Sequence, residues 1–151
     1  VTDLVVADFS KDENENVQDG MDISIVALNK EEMYLEWAGA NNPLWIIRKG
    51  VLIEFKADKQ PIGKNEDKKP FTNHRISLEA DDHIYLFTDG FSDQFGGKRN
   101  KKLTKAKFKE VLISAQNLSI EDQKNYLSDF IVDFRGNQEQ VDDILVMGVR
   151  I

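Results

Sequence analysis

The sequence contains no cysteine, which removes disulfides, thiolate nucleophiles and cysteine-bound zinc from consideration. Histidine is nearly as scarce: His74 and His83 are the only two and are not spaced as a ligand pair. Any cation held here would therefore be held by oxygen atoms. No apolar run approaches the roughly 20 residues that a membrane-spanning helix needs. The strongest, Ile144 to Val149, has the length of a strand. No secretory leader is read at the start either, because Asp3 and Asp8 break up the opening residues and no basic segment precedes an apolar one. Direct membrane insertion by this segment is not expected. Positive charge is also in deficit. Lys and Arg number 20 against 27 Asp and Glu, a net charge of −7, and that sign repels duplex nucleic acid and anionic lipid.

What is present is the composition of a folded protein: 151 residues, 40% hydrophobic and 31% charged. Residues 1–151 read as a single domain with no repeat or linker, and the absence of cysteine fits a reducing cytoplasm. Val1 to Phe9 reads as a short amphipathic helix with no initiating methionine before it, so a longer parent chain is expected. An acidic loop, Ser10 to Gln18, follows. Strands are expected at Asp22 to Leu28, Met33 to Ala38, Leu44 to Arg48 and Val51 to Phe55, the last two joined by a Lys49-Gly50 hairpin turn. Together they suggest an antiparallel meander. Ala57 to Asn73 is polar and broken by Pro61, Gly63 and Pro70, hence a loop. Strands resume at His74 to Leu78 and His83 to Phe87.

Two helices come next. Phe108, Val111, Leu112 and Ala115 fall at i, i+3, i+4 and i+7, one helical stripe. In the second helix, Ser119 is placed to cap, Ile120, Gln123, Leu127, Phe130, Ile131 and Phe134 form one face, and Gly136 stops it. Ile144 to Ile151 closes the chain as a strand. Strands in a run, then helices, then a strand predict an α+β fold with mainly antiparallel sheets and flanking helices.

Two acidic corners stand out. Thr88-Asp89-Gly90 lies where one apolar strand ends, and Asp142-Asp143 lies where another begins. If those strands pair antiparallel, the corners meet, because neighbouring strands run about 4.8 Å apart. Gly90 lets the backbone turn sharply after the acid. Two carboxylates about 5 Å apart repel by roughly 3 kcal/mol at an effective dielectric near 20. Sharing a proton or binding a cation relieves that repulsion. Magnesium and manganese suit such all-oxygen sites. Taken singly, each motif also has an ordinary reading as a turn or a solvated strand edge.

The succession Asp19-Gly20-Met21-Asp22, Ala38-Gly39-Ala40-Asn41-Asn42-Pro43, Pro61-Ile62-Gly63, Tyr85 to Gly90, Asp93 to Gly97 and Asp142 to Val146 resembles one family in order and spacing. It is the sporulation stage II protein E (SpoIIE) branch of the protein phosphatase 2C-like, metal-dependent phosphatases, and the likeness covers essentially the whole chain. The resemblance implies part of an α-β-β-α sandwich with a two-metal Mn2+ or Mg2+ centre. It also implies hydrolysis of phosphoserine or phosphothreonine in a phosphorylated protein substrate, in a bacterial signalling protein controlled by an upstream sensor or regulatory domain. Matched by motif, Asp89 and Asp142 are implied metal ligands. Asp143 is the neighbour that caps or orients, and which of the two acids faces the metal stays open.

Family members carry two earlier aspartate motifs, Gly-Asp and Asp-x-x-Gly-His-Gly, which this sequence lacks. The chain is therefore expected to be the C-terminal portion of the domain, without its N-terminal strands, binding metal weakly and inactive on its own. The alternative is a non-catalytic, phosphatase-like interaction module. Ala40-Asn41-Asn42 stands where the family commonly has Gly-His before the proline, and it is given no chemical role.

Lys98, Arg99, Lys101, Lys102, Lys105, Lys107 and Lys109 crowd one stretch of an acidic protein. They form either a solvated loop and outer helix face or, most pointedly Lys98, Arg99, Lys101 and Lys102, a rim that steers phosphoprotein toward the acids. Nucleic-acid binding would want interleaved exposed aromatics, and only Phe95 and Phe108 are at hand. Asp19 and Asp22 read as turn residues rather than ligands, Trp37 and Trp45 as core, and His83 as a surface residue.

Overall fold

The computed structural model describes residues 20–63 and 69–151. The expected helix at 1–9, the acidic loop after it and Asp19 lie outside the described residues. The described chain is α+β, with eleven strands in mostly antiparallel sheets and three helices. None of these helices is long and apolar enough to cross a membrane.

Contacts divide the chain into two compact units. In the first, β2 (Ile23–Asn29), β3 (Tyr34–Ala40) and β7 (His74–Ser77) form an antiparallel sheet in the order β2-β3-β7. Along β3, Leu35 and Trp37 are buried while their neighbours are partly exposed, the period of two of a sheet with one covered face. The Trp37 indole N–H donates to Ser24 Oγ at 2.7 Å. β1 (Gly20–Met21) pairs with β6 (Ile62–Gly63). Strand β6 lies inside the stretch read as a loop from sequence, and two residues are too few to show a period.

The second unit carries a four-stranded sheet in the order β11-β8-β4-β5. Its strands are β4 (Leu44–Arg48), β5 (Val51–Phe55), β8 (His83–Phe87) and β11 (Val146–Arg150). Lys49 and Gly50 have φ of 48° and 82°. Both are left-handed, as a two-residue hairpin turn requires. The expected meander does not form, because β3 and β4 lie in different sheets. Asn41 turns left-handed at φ 58°, its N–H donates to Asp58 O at 2.9 Å, and Pro43 has no N–H to continue a ladder.

Helix α1 (Gly90–Asp93) follows β8, then a small hairpin of β9 (Phe95–Gly96) and β10 (Lys101–Lys102). Helix α2 (Lys105–Ala115) buries the four residues of its sequence stripe, Phe108, Val111, Leu112 and Ala115. Thr104 caps it by accepting from Lys107 N. Helix α3 (Ile120–Arg135) is capped by Ser119, whose Oγ accepts from Asp122 N, and ends at Gly136 with φ 56°. Phe108 packs on Phe91 with ring centroids 4.3 Å apart, and Trp45 packs on Phe87 at 4.2 Å. These rings centre a core with Ile47, Tyr85, Leu112 and Leu127. Each large side chain so buried contributes roughly 2–3 kcal/mol.

Candidate functional site

The antiparallel register of β8 and β11 runs from His83 opposite Arg150 to Phe87 opposite Val146. One step beyond that last pair, Thr88 N–H donates to Leu145 O at 3.0 Å. The Thr88 hydroxyl donates to Asp143 O at 2.7 Å and accepts from Leu145 N at 2.9 Å. Strand β11 starts at Val146, two residues later than expected from sequence; at Leu145 the carbonyl still accepts from Thr88 N, but its own N–H goes to the Thr88 hydroxyl instead of the ladder.

Asp89 sits at the N-cap of α1 without making a side-chain cap bond. Gly90 is buried against the Asp142–Asp143 peptide, and a Cβ there would collide with the Asp143 carbonyl oxygen and carbon. Its φ is not in the left-handed region, so what the position demands of glycine is room. The backbones bearing Asp89 and Asp142-Asp143 are thus brought together.

The acid-bearing loop is tied down from behind. Gln94, fully buried, donates through Nε2 to Glu139 O at 2.8 Å and to Phe95 O at 3.0 Å. Gln140 Nε2 donates to Asp142 O at 2.9 Å. Asp143 N–H donates to Asp142 Oδ1 at 2.7 Å, which orients that carboxylate.

Asp89, Asp142 and Asp143 are all exposed, and none has a cationic partner among the described residues. Three oxygen-donor side chains without cationic partners, on two abutting turns, fit a hard divalent ion in chemistry. They do not make a complete site by themselves. Among the described residues no group of three or more His, Asp or Glu side chains has the arrangement to hold a metal.

The basic stretch is only partly free. Lys102 Nζ pairs with Asp93 Oδ2 at 2.7 Å and Lys107 with Glu110 at 2.8 Å. Lys109 pairs with Glu54 at 2.8 Å and lies 5.0 Å from the Trp45 ring centroid. Lys98, Arg99 and Lys101 are exposed, without an ion pair among the described residues. Phe108 is fully buried, which leaves Phe95 as the one exposed aromatic of this stretch. Asp22 Oδ1 accepts from Asn41 Nδ2 at 2.8 Å, a structural use.

His83 corrects the surface reading, since it is 6% exposed. It opens β8, where it is paired with Ile47 of β4 on one side and Arg150 of β11 on the other. Sequence reasoning passed over Thr88 and Gln94 as site residues. A hydroxyl at the last step of a strand, beside the acid, was the available signal for Thr88; Gln94 gave none beyond its place near Asp93.

The mixed α+β fold with mostly antiparallel sheets matches that of PP2C-type phosphatase domains. Residues 4–151 match the model of one family, described as Stage II sporulation protein E (SpoIIE), and the chain belongs to it. No curated protein sequence matches the chain. Among solved structures it is similar to the SiaA-PP2C domain of Pseudomonas aeruginosa, with 25% identity and a TM-score of 0.79 over 86% of this chain and 51% of that one. It is also similar to the PP2C phosphatase domain with a fragment of the regulatory domain of the cell fate determinant SpoIIE from Bacillus subtilis. There identity is 19% and TM-score 0.67, over 86% of this chain and 37% of that one. A manganese-presoaked structure of the SpoIIE phosphatase domain from Bacillus subtilis matches with 17% identity and TM-score 0.59, over 99% of this chain and 64% of that one. The chain thus spans about half the length of the SiaA domain and a smaller share of the longer SpoIIE structure.

Proposed function

We propose that this chain is the C-terminal portion of a metal-dependent serine/threonine protein phosphatase domain, part of a cytoplasmic bacterial signalling protein with an upstream sensor or regulatory domain. The observation that carries the proposal is the clasp of Thr88-Asp89-Gly90 against Asp142-Asp143. Those exposed carboxylates have no cationic partner among the described residues, which leaves them open to a cation.

In this reading Asp89 and Asp142 would hold Mn2+ or Mg2+, with Asp143 orienting Asp142 through its N–H. Such an ion supplies Lewis acidity toward phosphoryl oxygens and a more acidic water. The chain's own residues place the carboxylates and hold the loop still. Lys98, Arg99 and Lys101 add positive potential at the β9–β10 hairpin, which supports attraction of a phosphorylated protein, while Lys102 is committed to Asp93.

Manganese-dependent release of phosphate from p-nitrophenyl phosphate by a longer protein containing this chain tests the proposal. Asp89→Asn and Asp142→Asn should each lower the rate on the order of a hundredfold. Undiminished turnover in both variants would sink the assignment.

A second reading, a phosphatase-like module that binds a partner without catalysis, is favoured for the chain alone by the lack of any complete metal-binding group among the described residues. On that reading the longer protein releases no phosphate whatever metal is supplied.

A further inference from the structure

We infer that Thr88 is a positioning residue, whose hydroxyl sets the separation of the two acidic corners and through it the affinity for a divalent cation. The inference rests on the metal-holding reading of Asp89 and Asp142.

The argument starts at the end of a ladder. The strand register of β8 and β11 ends at Phe87 and Val146, with a single main-chain bond beyond it. Past that point two strands ordinarily diverge, and both acids lie past it. Thr88 carries the pairing further with a side chain. Its hydroxyl uses donor and acceptor capacity on one short stretch, giving a proton to Asp143 O at 2.7 Å and taking one from Leu145 N at 2.9 Å. The main-chain bond from Thr88 N to Leu145 O adds a third link at 3.0 Å. The residue that grips is the immediate neighbour of Asp89, and the carbonyl gripped belongs to the immediate neighbour of Asp142. Any change in those two hydroxyl bonds moves one carboxylate relative to the other.

Side-chain chemistry fits the task. A β-branched residue has few χ1 choices on a strand, so the hydroxyl is aimed before the bonds form. Both hydroxyl bonds lie at an exposed position, where water satisfies Asp143 O and Leu145 N once the hydroxyl is gone. Losing it therefore costs alignment more than stability. A residue kept only for strand stability would behave the opposite way, because valine is a better strand former of nearly the same shape.

The test titrates Mn2+ into the 15N-labelled chain and follows paramagnetic broadening of backbone amide signals, with thermal melting measured alongside. In the unaltered chain, broadening should centre on Gly90 and Asp143. Thr88→Val should raise the Mn2+ Kd about tenfold, the equivalent of one or two lost hydrogen bonds, with little change in melting temperature. Thr88→Ser should stay within about threefold, since it keeps both bonds but not the restrained rotamer. If Thr88→Val does not fold, Thr88→Ala is read with the same expectation. Wild-type affinity in the Val or Ala variant overturns the inference, as does equal weakening by Ser and Val. Asp89→Asn separates the two ideas. If it abolishes the broadening while Thr88→Val leaves it intact, the metal reading stands and the role of Thr88 falls. If the unaltered chain shows no broadening at this corner, both fall together.

Discussion

Arg48 and Asp82 form a two-pronged ion pair in which Nε donates to Oδ1 at 2.9 Å and Nη2 to Oδ2 at 2.6 Å. The pair ties the end of β4 to the turn before β8. Asp82 is fully buried and accepts a further bond from the Glu79 N–H at 2.9 Å. Burial pushes the Asp82 carboxyl up, but the hydrogen bonds from Arg48 and Glu79 and the Arg48 charge outweigh it and hold the group below its usual value. A carboxyl depressed on folding stabilises the fold above its unfolded pKa and loses that contribution as pH falls through the folded one. Asp82→Asn should therefore cost about 2–3 kcal/mol at pH 7, within the range for hydrogen bonds to a charged group. The difference between variant and wild type should shrink below about pH 4. Urea denaturation at several pH values measures both.

His83 gives the same end of β8 a second pH response. Burial, then the Arg150 charge, push the imidazole below its ordinary value, and these outweigh the opposing pull of Asp81 and Asp82. Its Nε2 is buried without a hydrogen-bond partner among the described residues. The unfolded chain then binds a proton near pH 6.5 that the folded chain refuses, so stability falls as pH drops below about 6.5. In His83→Gln that component of the pH slope should vanish. An unchanged slope between pH 5 and 7 would show that the imidazole is not the responsible group.

Gly90→Ala tests the contact between corners. The added methyl must displace the Asp142–Asp143 backbone, which cannot rotate aside as a side chain would. A loss of about 2 kcal/mol is expected, within the range for overpacking, together with weaker Mn2+ binding. Chemical-shift changes at Asp142 and Asp143 would report the displacement directly.

Tyr85 donates its hydroxyl proton to Gln123 Oε1 at 2.7 Å between β8 and α3, and burial raises its phenol pKa to about 12. Tyr85→Phe leaves that buried oxygen unpaired and should cost about 1–2 kcal/mol. Tyr85→Phe combined with Gln123→Met should cost less than the two single changes summed. Thermal melts of the four proteins decide it.

How much of this was legible in the sequence depended on the range of the interactions involved. The stripe of α2, the Ser119 cap, the Gly136 stop and the Lys49-Gly50 turn were readable because each is fixed by residues within a few positions. The antiparallel pairing of β8 with β11, which sets the Thr88-Asp89-Gly90 turn beside the Asp142-Asp143 turn, was anticipated from strand order alone, since such pairing joins one end to one start. The division into two sheets was not, because β3 and β4 both read as good strands and nothing local says which partner each will find. The two-residue strands β6, β9 and β10 were too short to carry a pattern. His83 was misplaced because the strands that flank it, through Ile47 and Arg150, are distant in sequence.

The β8–β11 pairing has a consequence for the order of events during folding. Asp89 and Asp142 lie more than fifty positions apart, with all three helices of the described chain starting between them. Closing so large a loop costs chain entropy that no neighbouring contact repays in advance. Helices α2 and α3 can form early from nearby contacts, but the acidic corner exists only once the final strand has zipped onto β8. A nascent polypeptide halted before Val146 would thus carry every acid of the corner while holding none of them in register.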